Sequence, residues 1–257
     1  MIDALSIAAS GLDANQAWID SISNNIANMQ TPGYRKSRVN FQDLVQQQSG
    51  NPLDRMMEPN RVMGAGVKIS QPGVSMTEGS ISQTNNPLDI AIQGKGFFEV
   101  LLPGGDAAYT RAGRFHQNAE GRLVIEGDLE LSGDIRIPPD AASISITADG
   151  RVQARLAGVV EPVELGQLRI ARFANGEGLQ RLNNGLLQPT QQSGDVVLAE
   201  PGTNGTGSLL QGHLELSNVN LVEEMTSLVL AQRAYQLNAR ILQASDQILE
   251  TLNNLRR

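Results

Sequence analysis

Apolar positions at the start of the chain advance in steps of three and four: Leu5, Ala8, Leu12, Asn15, Ile19, Ile22, Ile26 and Met29. This is the a/d seam of a coiled coil with one polar member, Asn15. It predicts a helix about 25 residues long, roughly 40 Å at ~1.5 Å per residue. Thr31-Pro32-Gly33 ends it, because the residue before a proline is driven out of the helical region. At the other end Leu221, Leu228, Tyr235, Leu242 and Leu249 recur every seven residues, flanked by Ala234, Ile241, Ile248 and Leu255. Asn220 and Glu223 form a capping-box pattern ahead of this run, with acids Glu223 and Glu224 at its start and Arg256 and Arg257 at its end, as the helix dipole prefers. A second helix of about 35 residues is expected.

Between the helices the period changes from 3.5 to 2. Leu88, Ile90 and Ile92; Ile144 and Ile146; Val152, Ala154 and Leu156; and Leu168 and Ile170 alternate as half-buried strands do. Asp149-Gly150, Asn175-Gly176, Asn184-Gly185 and Asn204-Gly205 separate such runs and tolerate the positive φ of tight hairpins. All 11 prolines lie between Pro32 and Pro201, and every glycine except Gly11 lies between Gly33 and Gly212. Helix breakers at that density exclude helix from the middle. The polar stretch from Gln46 to Pro59 reads as a loop or long hairpin.

The expected fold is therefore a mainly β central region, made of antiparallel hairpins and a small β domain, with long N- and C-terminal α-helices forming a coiled coil. Residues 1–34 and 215–257 make the helical domain, 35–80 and 185–214 a connecting β-rich region, and 81–184 an outer β domain.

Composition removes several functions. At 257 residues the chain needs no disulfide or metal staple, and zero cysteine excludes thiolate metal sites and cysteine nucleophiles. A net charge of −7 argues against a general nucleic-acid binder, and 4% aromatic content is thin for an enzyme core. The first twenty residues carry Asp3, Asp13 and Asp20 and no basic residue, unlike a cleaved secretory signal, and no apolar run approaches the ~20 residues of a membrane span.

Candidate chemistry is sparse. His116 and His213 are far apart without ligand spacing and read as surface or satisfied histidines. Gly94-Lys95-Gly96 and Gly64-Ala65-Gly66 lack the rest of a phosphate or dinucleotide loop and read as strand-edge turns. Asp128, Glu130 and Asp134 lie in turn-rich sequence and nominate no carboxylate pair. Arg35, Lys36 and Arg38 read as a solvated face at a helix exit, and Asn204-Gly205-Thr206 as a hairpin tip. No catalytic residue, cofactor or metal is expected.

The helices carry the function. A heptad seam cannot be buried by its own helix, so each end of the chain needs a partner. An intrachain stalk on a monomeric β-domain adaptor is one solution. Association between chains is the other, because a single helix pair leaves Trp18, Ile241, Ile248 and Leu255 partly exposed. A heterologous interface that does not close yields a helical filament. The assembly residues expected from the seams are Leu5, Leu12, Ile19, Ile22, Ile26, Met29, Leu221, Leu228, Tyr235, Leu242, Leu249 and Leu252.

Three motifs, in order, resemble those of the bacterial flagellar rod and hook proteins: Asn24-Asn25-Ile26-Ala27-Asn28 followed by Thr31-Pro32-Gly33-Tyr34-Arg35; Ser82 to Ile92 with Gly94-Lys95-Gly96-Phe97-Phe98 and Tyr109-Thr110-Arg111; and Ser217-Asn218-Val219-Asn220 with Glu223-Glu224-Met225 and Gln232-Arg233-Ala234-Tyr235. Length and the start Met1-Ile2-Asp3-Ala4-Leu5 are most similar to distal-rod members, those next to the hook. The stretch from Val45 to Met63 is shorter than theirs, which keeps a proximal-rod member or rod-like paralogue as the second reading. The resemblance implies a non-enzymatic basal-body subunit exported by the flagellar type III apparatus without cleavage. It further implies a homo-oligomeric hollow tube across the periplasm, lined by the terminal helices, with neighbouring rod, hook and ring proteins as partners.

Overall fold

The computed structural model describes residues 2–47, 62–70, 73–133, 135–158 and 161–255, and their side chains except at 2–4, 46–47, 62–63, 249, 252–253 and 255. Two compact units make up the chain. Met1–Ile26, Ser37–Pro72 and Asn220–Arg257 form the helical unit, and Ala27–Lys36 with Gly73–Val219 form the β unit.

In the helical unit, α1 (Ile2–Ala27) and α2 (Leu221–Leu255) lie where the two heptad patterns place them. Asn220 opens α2 by accepting the Val222 N–H on its side-chain oxygen at 3.0 Å, which satisfies one of the orphan donors of the first turn. Two contacts among the described residues set the direction of the helices. A Cβ at Gly11 would sit 2.7 Å from Asn238 Nδ2, and Asn25 Nδ2 donates to Glu224 Oε2 at 3.1 Å. Gly11 pairs with the later α2 residue and Asn25 with the earlier one, so the helices run antiparallel.

Strands Phe41–Gln47 and Val62–Ile69 pair antiparallel in the same unit, with Phe41 opposite Ile69 and a register shift between Asp43 and Val45. Beyond Gln47, the polar stretch expected as a loop or long hairpin lies outside the described residues. Gly64-Ala65-Gly66 is not a strand-edge turn but the interior of the second strand, at that shift. Gly66 has φ +110°, and a Cβ there would come within 2.3 Å of Ser10 Oγ, so only glycine lets this strand approach α1. Ser10 Oγ in turn accepts the Val67 N–H at 3.2 Å, and Phe41 meets Trp18 edge to face at 6.0 Å.

The β unit is built around Phe97–Leu101, which pairs with Ala107–Thr110 on one side and with Leu129–Leu131 and Ile170–Arg172 on the other. Period-2 geometry sends its successive side chains to opposite faces. Phe98 and Val100 enter one core with Ile90, Phe115, Leu123 and Ile170, while Phe97 enters a second with Tyr109, Phe173 and Leu187. Both faces are covered at its start, which is why Phe97 and Phe98 are both apolar, while Glu99 is half-buried and Leu101 exposed. Leu88 and Leu168, expected within strands, precede Ile90–Gln93 and Ile170–Arg172 yet pack into the first core. A three-stranded antiparallel sheet of Ala141–Ile146, Arg151–Leu156 and Val163–Gln167 belongs to the same unit, as do the pairs of Ile90–Gln93 with Ser208–Gln211 and Ile81–Gln83 with His213–Glu215.

Three of the four turn dipeptides behave as expected: Gly150 has φ +88°, Asn184 and Gly185 +58° and +70°, and Asn204 and Gly205 +49° and +74°. Asn175-Gly176 does not. Asn175 is extended at φ −129° and Gly176 opens a 3-10 turn packed beside Met76, whose Sδ would stand 2.9 Å from a Cβ there.

Candidate functional site

The surface of the helical unit is the first candidate. On α1, Ala8, Ala14, Ile22 and Asn25 are buried, and Leu5, Leu12, Ile19 and Ile26 are half-buried; Met29, also half-buried, lies in the turn beyond the helix. Among the described side chains of α2, only Glu224 and Ala231 are fully buried, while Leu228 and Leu242 are half-buried and Leu221 and Tyr235 exposed. The side chains of Leu249 and Leu252 lie outside the described residues. The contact between the helices is thus made by small and polar side chains, Gly11, Ala231, Asn238 and the Asn25–Glu224 pair. The large apolar residues of α2 face water: Val222 is 73% exposed, Leu237 59%, Leu230 55%, Met225 55% and Ile248 53%. A polar seam of this kind fixes register more than it adds stability.

Asn25 is the joint of that unit. Besides Glu224 it exchanges both amide bonds with Ser37, accepting its N–H at 2.9 Å and donating to its carbonyl at 3.0 Å. Glu223 and Glu224 therefore differ in role. Glu223 stays exposed at the helix start, whereas Glu224 is 1% exposed and bonded to Asn25.

The second candidate lies within the β unit, where segments distant in sequence meet at Glu215. Its carboxylate takes Arg35 Nη2 at 2.7 Å on one oxygen and Arg111 Nη1 at 3.1 Å on the other. The first oxygen also accepts the Gly79 N–H at 2.8 Å, and the Glu215 carbonyl accepts the Gly33 N–H at 2.8 Å. Arg35 donates further to the Thr77 carbonyl, and Arg111 to the carbonyls of Gly94 and of Ile92, the latter at 3.0 Å. Arg111 also stands over the Phe97 ring, 5.5 Å from its centre. All three charged side chains are at most 4% exposed.

Burial dominates the electrostatics here. Desolvation lowers Arg111 to about 10 and holds Arg35 below its ordinary value, with the Glu215 charge only partly offsetting it. The surroundings are built for close approach. Gly33 has φ +71°, and a Cβ on it would come 2.3 Å from the Ala112 nitrogen. A Cβ at Gly79 would come 1.9 Å from the Leu216 oxygen. Nearby, Arg181 stacks on Tyr34 at 4.4 Å, donates to its hydroxyl at 2.9 Å and reaches the Arg35 carbonyl, while Asn218 accepts the Lys36 N–H at 2.7 Å and donates to Thr77.

The expected solvated face of Arg35, Lys36 and Arg38 is thus wrong for Arg35. The chain turns inward at Gly33, and Arg35 points into the ion cluster, leaving only Arg38 of the three exposed. Glu215 escaped the sequence reading altogether. The available signal was a charged residue in a short strand, His213–Glu215, between apolar Leu214 and Leu216.

Other chemistry is sparse among the described residues. His116 is exposed, 3.7 Å from Asp128, and His213 Nδ1 meets the Gln211 carbonyl at 2.7 Å. No group of three His, Asp or Glu side chains could hold a metal ion, and no helix is long and apolar enough to cross a membrane, both among the described residues.

Comparison with known proteins matches both candidate regions. Three family models fit in chain order: flagella basal body rod protein over residues 5–35, flagellar hook protein FlgE/F/G D1 domain over 91–154, and flagellar basal body rod FlgEFG protein C-terminal over 210–255. Similar proteins include the flagellar basal-body rod protein FlgG of Caulobacter vibrioides, 42% identical over 99% of this chain and 100% of that one. FlgG of Borreliella burgdorferi is 39% identical and FlgG of Bacillus subtilis 37%, each over 100% of both chains. The flagellar hook-basal body complex protein FlhP of Bacillus subtilis is 30% identical over the same coverage.

Proposed function

The chain belongs to the flagellar hook and basal-body rod protein family, and from that footing we propose how it works as a structural, non-enzymatic subunit of the distal rod. It polymerises through its terminal helices into a hollow helical tube that encloses the export channel and transmits torque. Stiffness comes from burial summed over many repeated contacts, with no single decisive group. Residues 1–34 and 215–257 form a coiled-coil wall, 35–80 and 185–214 connect, and 81–184 face outward. The subunit leaves the cytosol through the flagellar type III apparatus without a cleaved signal and meets rod, hook and ring proteins at its destination.

The observation that carries this reading is the uncovered apolar surface of α2, from Val222 to Ile248. A 35-residue helix with that much exposed apolar side chain has no reason to persist alone in water. Neighbouring copies contact the seams of Leu5, Leu12, Ile19, Ile22 and Ile26 on α1, Met29 just beyond it, and Leu221, Leu228, Tyr235, Leu242, Leu249 and Leu252 on α2, burying those that the single chain leaves partly exposed. The test is Leu12→Asp and Leu242→Asp, each placing a charge in an assembly stripe. Both variants should lose pelletable polymer and fail to restore swimming to a strain lacking the gene, while amide protection in the β unit stays unchanged. Normal polymer from both variants would refute the reading.

A further inference from the structure

We propose that the contact between copies is registered by charge: Asp13 and Asp20 on α1 of one subunit pair with Arg240 and Arg233 on α2 of a second copy. This rests on the rod reading above and names the contact within it. The four side chains are exposed, and among the described residues none of them makes an ion pair. Asp20 only accepts a hydrogen bond from Gln16 on its own helix, at 3.0 Å.

The spacing supplies the register. Asp13 and Asp20 are two helical turns apart, and so are Arg233 and Arg240, about 10.5 Å in each case. An antiparallel α1–α2 contact therefore brings Asp20 to Arg233 and Asp13 to Arg240 in one alignment. The residues between agree with it. The exposed α1 stripe runs Ala9, Asp13, Gln16, Asp20, Ser23, and the exposed α2 stripe runs Leu230, Arg233, Leu237, Arg240, Ala244, its steps the mirror of the first. In that alignment Leu230 faces Ser23, Leu237 faces Gln16 and Ala244 faces Ala9. Large apolar knobs meet small or polar positions, and each cation meets an anion.

The occupant has to be a second copy. Within one chain the two helices already meet through other faces, at Gly11 with Asn238 and at Asn25 with Glu224. A closed twofold dimer would also satisfy both faces, with α1 of each copy on α2 of the other; the rod reading selects the heterologous contact, in which every addition leaves one face free at each end and growth stays open. Exposed ion pairs add little affinity one by one, but a wrong register leaves charges opposite uncharged side chains, so their effect is on alignment.

Asp13→Arg with Asp20→Arg, and separately Arg233→Asp with Arg240→Asp, should each raise the critical concentration for polymerisation at least about tenfold. Combining all four should bring it back to within about threefold of the natural chain. Failure of the combined variant to recover overturns the proposal, as does polymerisation of both reversed variants at the natural concentration. A second readout does not depend on the charge variants folding. The chain contains no cysteine, so a chain carrying Asp20→Cys can be mixed with one carrying Arg233→Cys and treated with a short thiol cross-linker. Covalent dimers are expected from this mixture and not from Asp20→Cys with Arg240→Cys, two turns out of register; the reverse pattern overturns the proposal. If the natural chain neither polymerises nor restores swimming, the rod reading itself fails. If it does both and the charge swap is not rescued, only the register fails.

Discussion

Glu215→Gln is the sharpest perturbation of the β unit, because it removes charge and keeps shape. The natural cluster holds two guanidiniums and one carboxylate, all at most 4% exposed. Glutamine can still accept one bond through its oxygen, but both cations are then left in a dry site with only the exposed Glu78 as a nearby counter-charge. Removing one partner of a buried ion pair costs about 3–5 kcal/mol, a large part of the ~5–15 kcal/mol that holds a domain together. Arg111→Met is different. It leaves Arg35 and Glu215 as a neutral pair and frees a guanidinium that burial already holds down at about 10. Its cost is the bonds to the carbonyls of Ile92 and Gly94, about 1–3 kcal/mol. Glu215→Gln should therefore destabilise more than Arg111→Met by about 2 kcal/mol, and the double variant less than Glu215→Gln alone. The assay is hydrogen exchange on the full chain, read at Phe97–Leu101 and Leu123–Ile125, which reports the β unit without assuming one unfolding step for both units. Equal costs for the two single variants, or a larger one for Arg111→Met, would refute the charge-balance reasoning.

Three other outcomes follow from the geometry. Ala231 is fully buried on the inner face of α2, so Ala231→Leu should overpack the helix pair by about 1–3 kcal/mol and shift Trp18 emission, with exchange in the β unit unchanged. Asn220→Ala removes the side-chain cap on the Val222 N–H and should cost α2 about 1 kcal/mol, visible as faster amide exchange confined to its first turn. Burial and the neighbouring Glu99 carboxylate push the Tyr109 hydroxyl up to about 12, and it donates to Glu99 at 3.2 Å. The folded state keeps this proton where the unfolded chain has lost it. Stability should therefore fall as pH rises from about 10 towards 12, and absorbance at ~295 nm should show one late-titrating tyrosine that Tyr109→Phe abolishes.

Period and punctuation were enough to place both helices, because a 3.5-residue repeat free of breakers admits no other regular structure. The change to a period of 2, with proline and glycine crowded into the middle, likewise specified antiparallel β structure there. Loop chemistry was legible wherever an Asn-Gly pair had to supply positive φ. It failed at Asn175-Gly176, where glycine opens a 3-10 turn beside Met76 and supplies no positive φ.

What escaped was pairing across long separations. Arg35, Arg111 and Glu215 each look like surface residues in their own segments, and nothing local says that the Gly33 turn and the approach of Gly79 to Leu216 bring them to one point. The heptads likewise showed that each helix has an apolar side, but not which side its own partner would take. Tertiary structure decided that small and polar residues, Gly11, Ala231, Asn25 and Glu224, make the contact inside the chain, leaving the large apolar stripe of α2 outward. A periodic pattern records how much surface a helix must bury, while the choice of partner depends on which faces can approach closely, and that is a property of three-dimensional packing alone.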